Sequence, residues 1–326
     1  MSKLTLSKAL NEGLRRALEA DPKVMIMGED VGKLGGVFRV TDGLQKDFGE
    51  ERVIDTPLAE SGIIGTAIGL AMRGYRPVCE IQFDGFVYPA FNQIVSQLAK
   101  LHYRSGGTVK MPVTIRIPFG GGIGAVERHS ESPEAYFAHT AGLKVVACSD
   151  PANAFGMIQQ AVASDDPIIF FEPKRRYWEK AEVDLTPGAA LPPLHASAVL
   201  REGGDATLVT YGPSVRTCLA AAEAAVSDGL DVGVIDLRTL SPLDLAPVLD
   251  AARRSGHVVI VSEAPSSASI AGDVAAQITE QAFYSLEAPV LRVGGFDTPY
   301  PASKSEAHYL PDIDRILEAV DRSRGF

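Results

Sequence analysis

The sequence predicts an α/β protein made of two doubly wound domains. Three observations carry that prediction. Short apolar runs of strand length alternate with longer, helically spaced runs along the chain, the pattern of parallel sheets joined by crossover helices. The 326 residues suffice for one large or two medium cores. The alternation is interrupted once, over 181–197, where Pro187, Gly188, Pro192 and Pro193 leave little periodicity and mark a linker. Residues 1–180 are therefore expected to form the first domain and 198–326 the second.

The first domain opens on a helix over Leu6–Glu19, where Leu6, Leu10, Leu14 and Leu18 recur at helical spacing. Apolar runs then give strands at Val24–Met27 and Val53–Asp55, the second feeding a glycine- and alanine-rich helix over Ser61–Met72. Strand Pro77–Phe83 is followed by helix Ala90–Tyr103, and strand Val113–Pro118 by helix Pro133–His139. Ser132-Pro133-Glu134 starts that helix with proline at its first position. After strand Leu143–Cys148, Asp150-Pro151-Ala152-Asn153 starts helix Ala154–Ser164, and strand Ile168–Glu172 closes the domain. The second domain repeats the rhythm on a smaller scale. Strands Thr207–Tyr211, Val232–Asp236, His257–Ser262 and Val290–Val293 are separated by helices Ser214–Ser227, Leu243–Arg253 and Ile270–Ala282.

Composition narrows the function. Hydrophobic and charged contents of 46% and 22% are those of an ordinary globular enzyme. A net charge of −10 argues against a nucleic-acid partner, which needs clustered Lys and Arg, and suits a basic protein partner. Cys79, Cys148 and Cys218 lie far apart without metal-ligand spacing, so neither a disulfide framework nor a zinc site is expected. Lys3, Lys8 and Glu12 interrupt the start of the chain, and the apolar stretch Ile63–Met72 is too short to span a bilayer. The expectation is a cytoplasmic protein with no membrane segment.

The most informative segment is Thr56-Pro57-Leu58-Ala59-Glu60-Ser61-Gly62. It puts one carboxylate, Glu60, where a strand ends and a helix begins, the position at which open α/β sheets bind ligands. A carboxylate held in such a crevice can exchange protons near neutrality; it can equally complement the helix dipole. Phe119-Gly120-Gly121-Gly122-Ile123-Gly124 follows a strand and loosely matches a dinucleotide fingerprint, but no helix opens on its glycines. A self-contained nicotinamide or flavin oxidoreductase is therefore the weaker alternative, and the loop is better read as presenting His129. Of six histidines, His129 alone sits in a polar loop after a glycine run, where it can titrate near neutrality and reach a ligand. Phe86 or Tyr88 could stack on a flat heterocycle, and Glu29 and Asp30 end the first strand as caps or as part of a proton network. Glu60, Phe86 and His129 thus all fall on loops leaving strands of one domain.

At this point a family resemblance emerges. Gly28-Glu29-Asp30-Val31, Gly35-Gly36-Val37-Phe38 and Thr56-Pro57-Leu58-Ala59-Glu60 are followed in register by Glu80-Ile81-Gln82-Phe83 and Tyr103-Arg104-Ser105-Gly106. His129-Ser130-Glu131-Ser132-Pro133-Glu134, Phe170-Phe171-Glu172-Pro173 and Asp297-Thr298-Pro299-Tyr300-Pro301 complete the series. Over essentially its whole length the chain resembles the β subunits of thiamine-diphosphate-dependent 2-oxo acid dehydrogenases.

The resemblance implies a thiamine-diphosphate pyrimidine-binding domain followed by a transketolase C-terminal-like domain. Glu60 would hydrogen-bond the cofactor's aminopyrimidine and favour the tautomer that removes the thiazolium proton. Leu58, Gln82 and Phe86 would line that pocket. His129 would orient the intermediate and supply a proton as the acyl group passes to a lipoyl disulfide. The family's Gly-Asp-Gly motif for Mg²⁺ and diphosphate is not in this sequence. A separate α subunit is therefore implied to hold them, in a heterotetramer of two α and two β subunits docked on a dihydrolipoyl acyltransferase. A structural potassium ion of some relatives would lie near Val113, Thr114, Ala161, Ser164 and Asp166; Ser164 departs from the acidic residue of that pattern. Ile81-Gln82-Phe83 and Phe91-Asn92-Gln93-Ile94 look closer to the branched-chain than to the pyruvate branch.

Overall fold

The computed structural model describes residues 1–326. Its first domain runs β1 (Ser2–Thr5), α1 (Leu6–Ala20), β2 (Val24–Gly28), α2 (Leu44–Phe48), β3 (Val53–Asp55), α3 (Glu60–Met72) and β4 (Arg76–Glu80). It continues with α4 (Ala99–Arg104), β5 (Thr114–Phe119), α5 (Glu134–Ala138), β6 (Lys144–Ala147), α6 (Pro151–Ala163), β7 (Ile168–Pro173) and β8 (Lys180–Val183). The second holds β9 (Ala198–Arg201), β10 (Ala206–Thr210), α7 (Val215–Ala225), β11 (Val232–Asp236), β12 (Thr239–Ser241) and α8 (Ala246–Ser255). It ends with β13 (Val258–Pro265), α9 (Ile270–Ala282), β14 (Leu291–Gly295), α10 (Glu306–Tyr309) and α11 (Ile313–Arg324). No helix is long and apolar enough to cross a membrane.

The large sheet has the order β12-β6-β7-β5-β4-β2-β3. All its neighbouring pairs are parallel except β12 against β6. Buried on both faces, β2, β5 and β7 are mainly apolar runs, and the charged residues that interrupt β5 and β7, Arg116 and Glu172, pair with each other. One face is covered by α1 and α6. Thr5 caps α1 by accepting from Lys8 N (3.2 Å), and Asp150 caps α6 by accepting from Asn153 N (3.0 Å). The two helices approach so closely that a Cβ on Gly13 would stand 2.4 Å from Ile158 Cγ2. Chain order reverses around β2, with β3 on one side and β4 on the other, which makes that point the topological switch.

The second sheet, β14-β13-β10-β11-β9, has five strands rather than the four expected, because β9 adds an antiparallel edge. The segment 181–197 also differs from a free linker. It begins inside β8, which pairs with β1, and Leu194 is buried, its amide donating to Gln160 Oε1 (3.0 Å). Arg238 then donates to the carbonyls of Pro193 and Ala196 (3.1 and 2.6 Å). Directly after it, β12 leaves the second domain and joins the first domain's sheet, Thr239 facing Val146. One apolar cluster runs unbroken from Phe119 and Phe171 of the first domain to Tyr211, Ile235 and Leu237 of the second. The single helix expected over Ala90–Tyr103 is a 3₁₀ turn, a π-helical stretch at Gln93–Leu98 and the short α4.

Candidate active site at the switch point

Four adjacent strands, β3, β2, β4 and β5, send their C-terminal loops to one edge of the large sheet. These loops carry every site residue named from the sequence except the potassium set. Glu60 is the first residue of α3 and is half-buried; Leu58, two residues before it, is 69% exposed. Thr56 Oγ1, in the same loop, is buried without a partner. At the end of β2, Glu29 is pushed above the ordinary carboxylate range by burial, then by the charges of Asp30 and Glu60. Gln82 Nε2 joins this acidic group, donating at long range to Glu29 O (3.4 Å) and Asp30 Oδ2 (3.5 Å).

On the other side of the β4 exit, Phe86 and Phe83 enclose His129. The Phe83 ring lies 4.2 Å from the imidazole and the Phe86 ring 5.1 Å away, nearly perpendicular. Nδ1 of His129 is buried and has no hydrogen-bond partner. Burial and then the Lys174 charge lower its pKa, against a smaller opposing effect of Glu127 on its own turn. Both effects favour the neutral imidazole. Gln82 links Glu60's acidic group to the segment that holds Phe86 and His129, so the sequence-read residues fall into two halves joined by residues 82–86. Tyr88, the other aromatic considered, instead donates its hydroxyl to Glu131 (3.0 Å).

A charge network below the site was not legible as such. Arg116, fully buried, donates to Glu172 through Nε and Nη2 (2.6 and 2.8 Å) and to Glu80 through Nη1 (2.5 Å). Tyr177 donates to the same Glu172 (2.6 Å). The signal was available: Glu80, Arg116 and Glu172 are charged residues inside apolar strands, and buried charges are rarely unpaired. The glycine loop has a different role from dinucleotide binding. Its amides are held by carboxylates of the second domain: Gly121 N by Glu263 (2.9 Å), Gly122 N and Gly124 N by Glu306 (2.8 and 3.0 Å).

The residues fit a flat heterocycle with polar nitrogens: an acid, an exposed leucine, a half-buried ring and two unpartnered polar atoms share this edge. They do not supply a metal site, since no three His, Cys, Asp or Glu side chains converge. Around the residues expected near potassium, Val113 O accepts from Ile168 N (2.9 Å) and Ala161 O from Ser164 N (3.2 Å). Ser164 O accepts from Arg76 Nη1 (2.9 Å), so a guanidinium already supplies positive charge there, and Asp166 pairs with Lys144 (2.6 Å).

Comparison with known proteins identifies the family. Residues 2–179 match the transketolase pyrimidine-binding domain family and residues 196–316 the transketolase C-terminal domain family. A solved chain described as split gene transketolase, inactive beta4 tetramer, shares the fold at a TM-score of 0.80 and 21% identity, covering 99% of this chain and 98% of its own. The fold and matched domains therefore define a transketolase-like protein of the thiamine-diphosphate-associated class. The chain is 62% identical over 323 residues to the pyruvate dehydrogenase E1 component subunit beta of Leifsonia xyli, covering 99% of this chain and 95% of that one. It is 51% identical to the 3-methyl-2-oxobutanoate dehydrogenase subunit beta of Mycobacterium tuberculosis, covering 98% and 91%. It belongs to the family of 2-oxo acid dehydrogenase E1 β subunits.

Proposed function

We propose that this chain is the β half of a branched-chain 2-oxo acid dehydrogenase, completed by an α subunit that holds Mg²⁺ and the cofactor's diphosphate. The observation that carries the proposal is the gathering of Glu60, Gln82, Phe86 and His129 on loops from adjacent strand ends at the switch point. Thiamine diphosphate, when bound, supplies the carbon nucleophile and electron sink for decarboxylation. Glu60 would hydrogen-bond the aminopyrimidine, and Leu58, Gln82 and Phe86 would line its pocket. His129 would orient the intermediate and supply a proton as the acyl group passes to the lipoyl disulfide of a dihydrolipoyl acyltransferase. The assembly is a heterotetramer of two α and two β subunits. The three free, buried cysteines suit a reducing compartment, and we place the protein in the cytoplasm. A potassium ion near Val113, Thr114, Ala161, Ser164 and Asp166 would compete with Arg76, which donates to the Ser164 carbonyl.

The branched-chain preference rests on Ile81-Gln82-Phe83 and Phe91-Asn92-Gln93-Ile94; the 62% identical relative favours pyruvate as the second reading. Reconstitution with the matched α subunit tests both levels. Glu60→Gln and His129→Ala are each expected to lower overall turnover by at least about 100-fold while the heterotetramer still assembles. Undiminished turnover in both variants would reduce the chain to a scaffold. Faster turnover of 3-methyl-2-oxobutanoate than of pyruvate is expected; the reverse order assigns the chain to the pyruvate branch.

A further inference from the structure

Asp84 and Lys174 are completely buried charged side chains that the proposed chemistry leaves unused. Asp84 opens the short turn Asp84–Phe86, and Lys174 follows β7. They pair through Lys174 Nζ and Asp84 Oδ1. Removing two charges from water costs several kcal/mol per ion, and apolar side chains of similar volume often do as well in such a place. Stability alone is thus a weak explanation for the pair.

Its surroundings give a better one. The second carboxylate oxygen of Asp84 accepts from the backbone N of Glu131 (2.6 Å), two residues past His129. Lys174 Nζ lies 5.6 Å from the centre of the Phe83 ring, which packs on the imidazole. Between them, Gly85 meets Arg128 so closely that a Cβ would stand 2.5 Å from its carbonyl oxygen and 2.8 Å from its Cα. These contacts hold the residues on both sides of His129 and the ring packed against it.

We infer that the Asp84–Lys174 pair, with Gly85, is the positioning device of His129, fixing its loop against the Phe83–Phe86 turn and keeping a positive charge beside the imidazole. The inference rests on the acyl-transfer role proposed for His129. The charged groups acting on the imidazole are Lys174, which lowers its pKa, and Glu127, which raises it; burial lowers the pKa of Lys174 itself, and Asp84, Glu263 and Glu131 oppose that and favour its charge. Losing Lys174 therefore raises the His129 pKa.

The test uses the reconstituted complex and two half-reactions: decarboxylation read with an artificial electron acceptor, and reductive acylation of the lipoyl domain. In the double variant Asp84→Leu/Lys174→Met, decarboxylation should persist while reductive acylation falls about 10- to 100-fold, the cost of a misplaced catalytic group. The pH limb of reductive acylation set by His129 should move to higher pH. Gly85→Ala should cause the same selective loss with the limb unmoved, because the charges remain; it also decides the matter if the double variant does not assemble. Wild-type reductive acylation in these variants, or equal loss of both half-reactions without a moved limb in the double variant, overturns the inference. His129→Ala separates the two levels. If it spares reductive acylation, the role of His129 itself falls; if it abolishes it while the other variants behave as wild type, only the positioning device does.

Discussion

Arg116 shows how one residue underpins a site it does not touch. Its guanidinium is saturated by two carboxylates from the neighbouring strands β4 and β7, and Tyr177 adds a hydroxyl to one of them. Both carboxylates lie close to loop starts: Glu80 ends β4 just before Gln82, and Glu172 precedes Lys174. Burial alone would push Glu80 toward its protonated form, and the adjacent guanidinium opposes that. Arg116→Met leaves two acids facing each other without a cation. Breaking a buried pair in this way costs about 3–5 kcal/mol. Chemical denaturation of the β chain in its complex should show a loss of that order, and a loss below about 1 kcal/mol would mean that water enters the network.

At the scale of elements, the glycine loop 120–124 is the clearest case of a segment whose role depends on distant partners. Glu306 accepts from two of its amides and from the Tyr300 hydroxyl (2.7 Å), and each such charge-assisted bond contributes about 1.5–3 kcal/mol. Glu306→Ala should free the loop, and limited proteolysis of the complex should then cut faster within residues 120–126; an unchanged cleavage rate would mean that Glu263 holds the loop alone. The partners are 182 and 184 residues apart in sequence, beyond any local pattern. The same reason hid the Asp84–Lys174 pair, separated by 90 residues. Glu60, Phe86 and His129 were legible because strand ends announce themselves locally, through an apolar run followed by turn residues. The buried strands β5 and β7 were legible for the same reason, as mainly apolar runs that Arg116 and Glu172 interrupt. By contrast β12 has three residues and no period, and β1 and β8 form a small outlying pair that is only partly buried. The amphipathic α11 carries a cap at Asp312 and apolar residues at 316, 319 and 320, a helix signal in plain view that the alternation of strands and helices obscured.

For the whole molecule, the seam between the domains is a titrating structure. Glu134 of the first domain accepts from the Tyr211 hydroxyl of the second (2.6 Å), while its other oxygen is buried without a partner. Asp236 of the second domain accepts from Ser149 Oγ of the first (2.6 Å) and from Arg238 N (3.0 Å). Burial pushes both carboxyls up to about 7. In the unfolded chain they titrate near about 4. Between those values the folded state holds protons that the unfolded chain has released, so stability falls as pH rises through this window. Asp84, raised to about 6 by burial, acts in the same direction. Asp165, lowered by Lys110 and Arg76, acts oppositely at lower pH but is exposed and screened by solvent. Scanning calorimetry of the assembled complex should therefore show its transition temperature falling from about pH 5 to about pH 8. Glu134→Gln and Asp236→Asn retain hydrogen-bonding side chains but cannot ionise, so each should flatten that fall. A slope unchanged in both would place the titrating groups elsewhere. Because the apolar cluster is continuous across this seam, ionising either carboxyl should weaken both domains together, shifting a shared transition rather than splitting it.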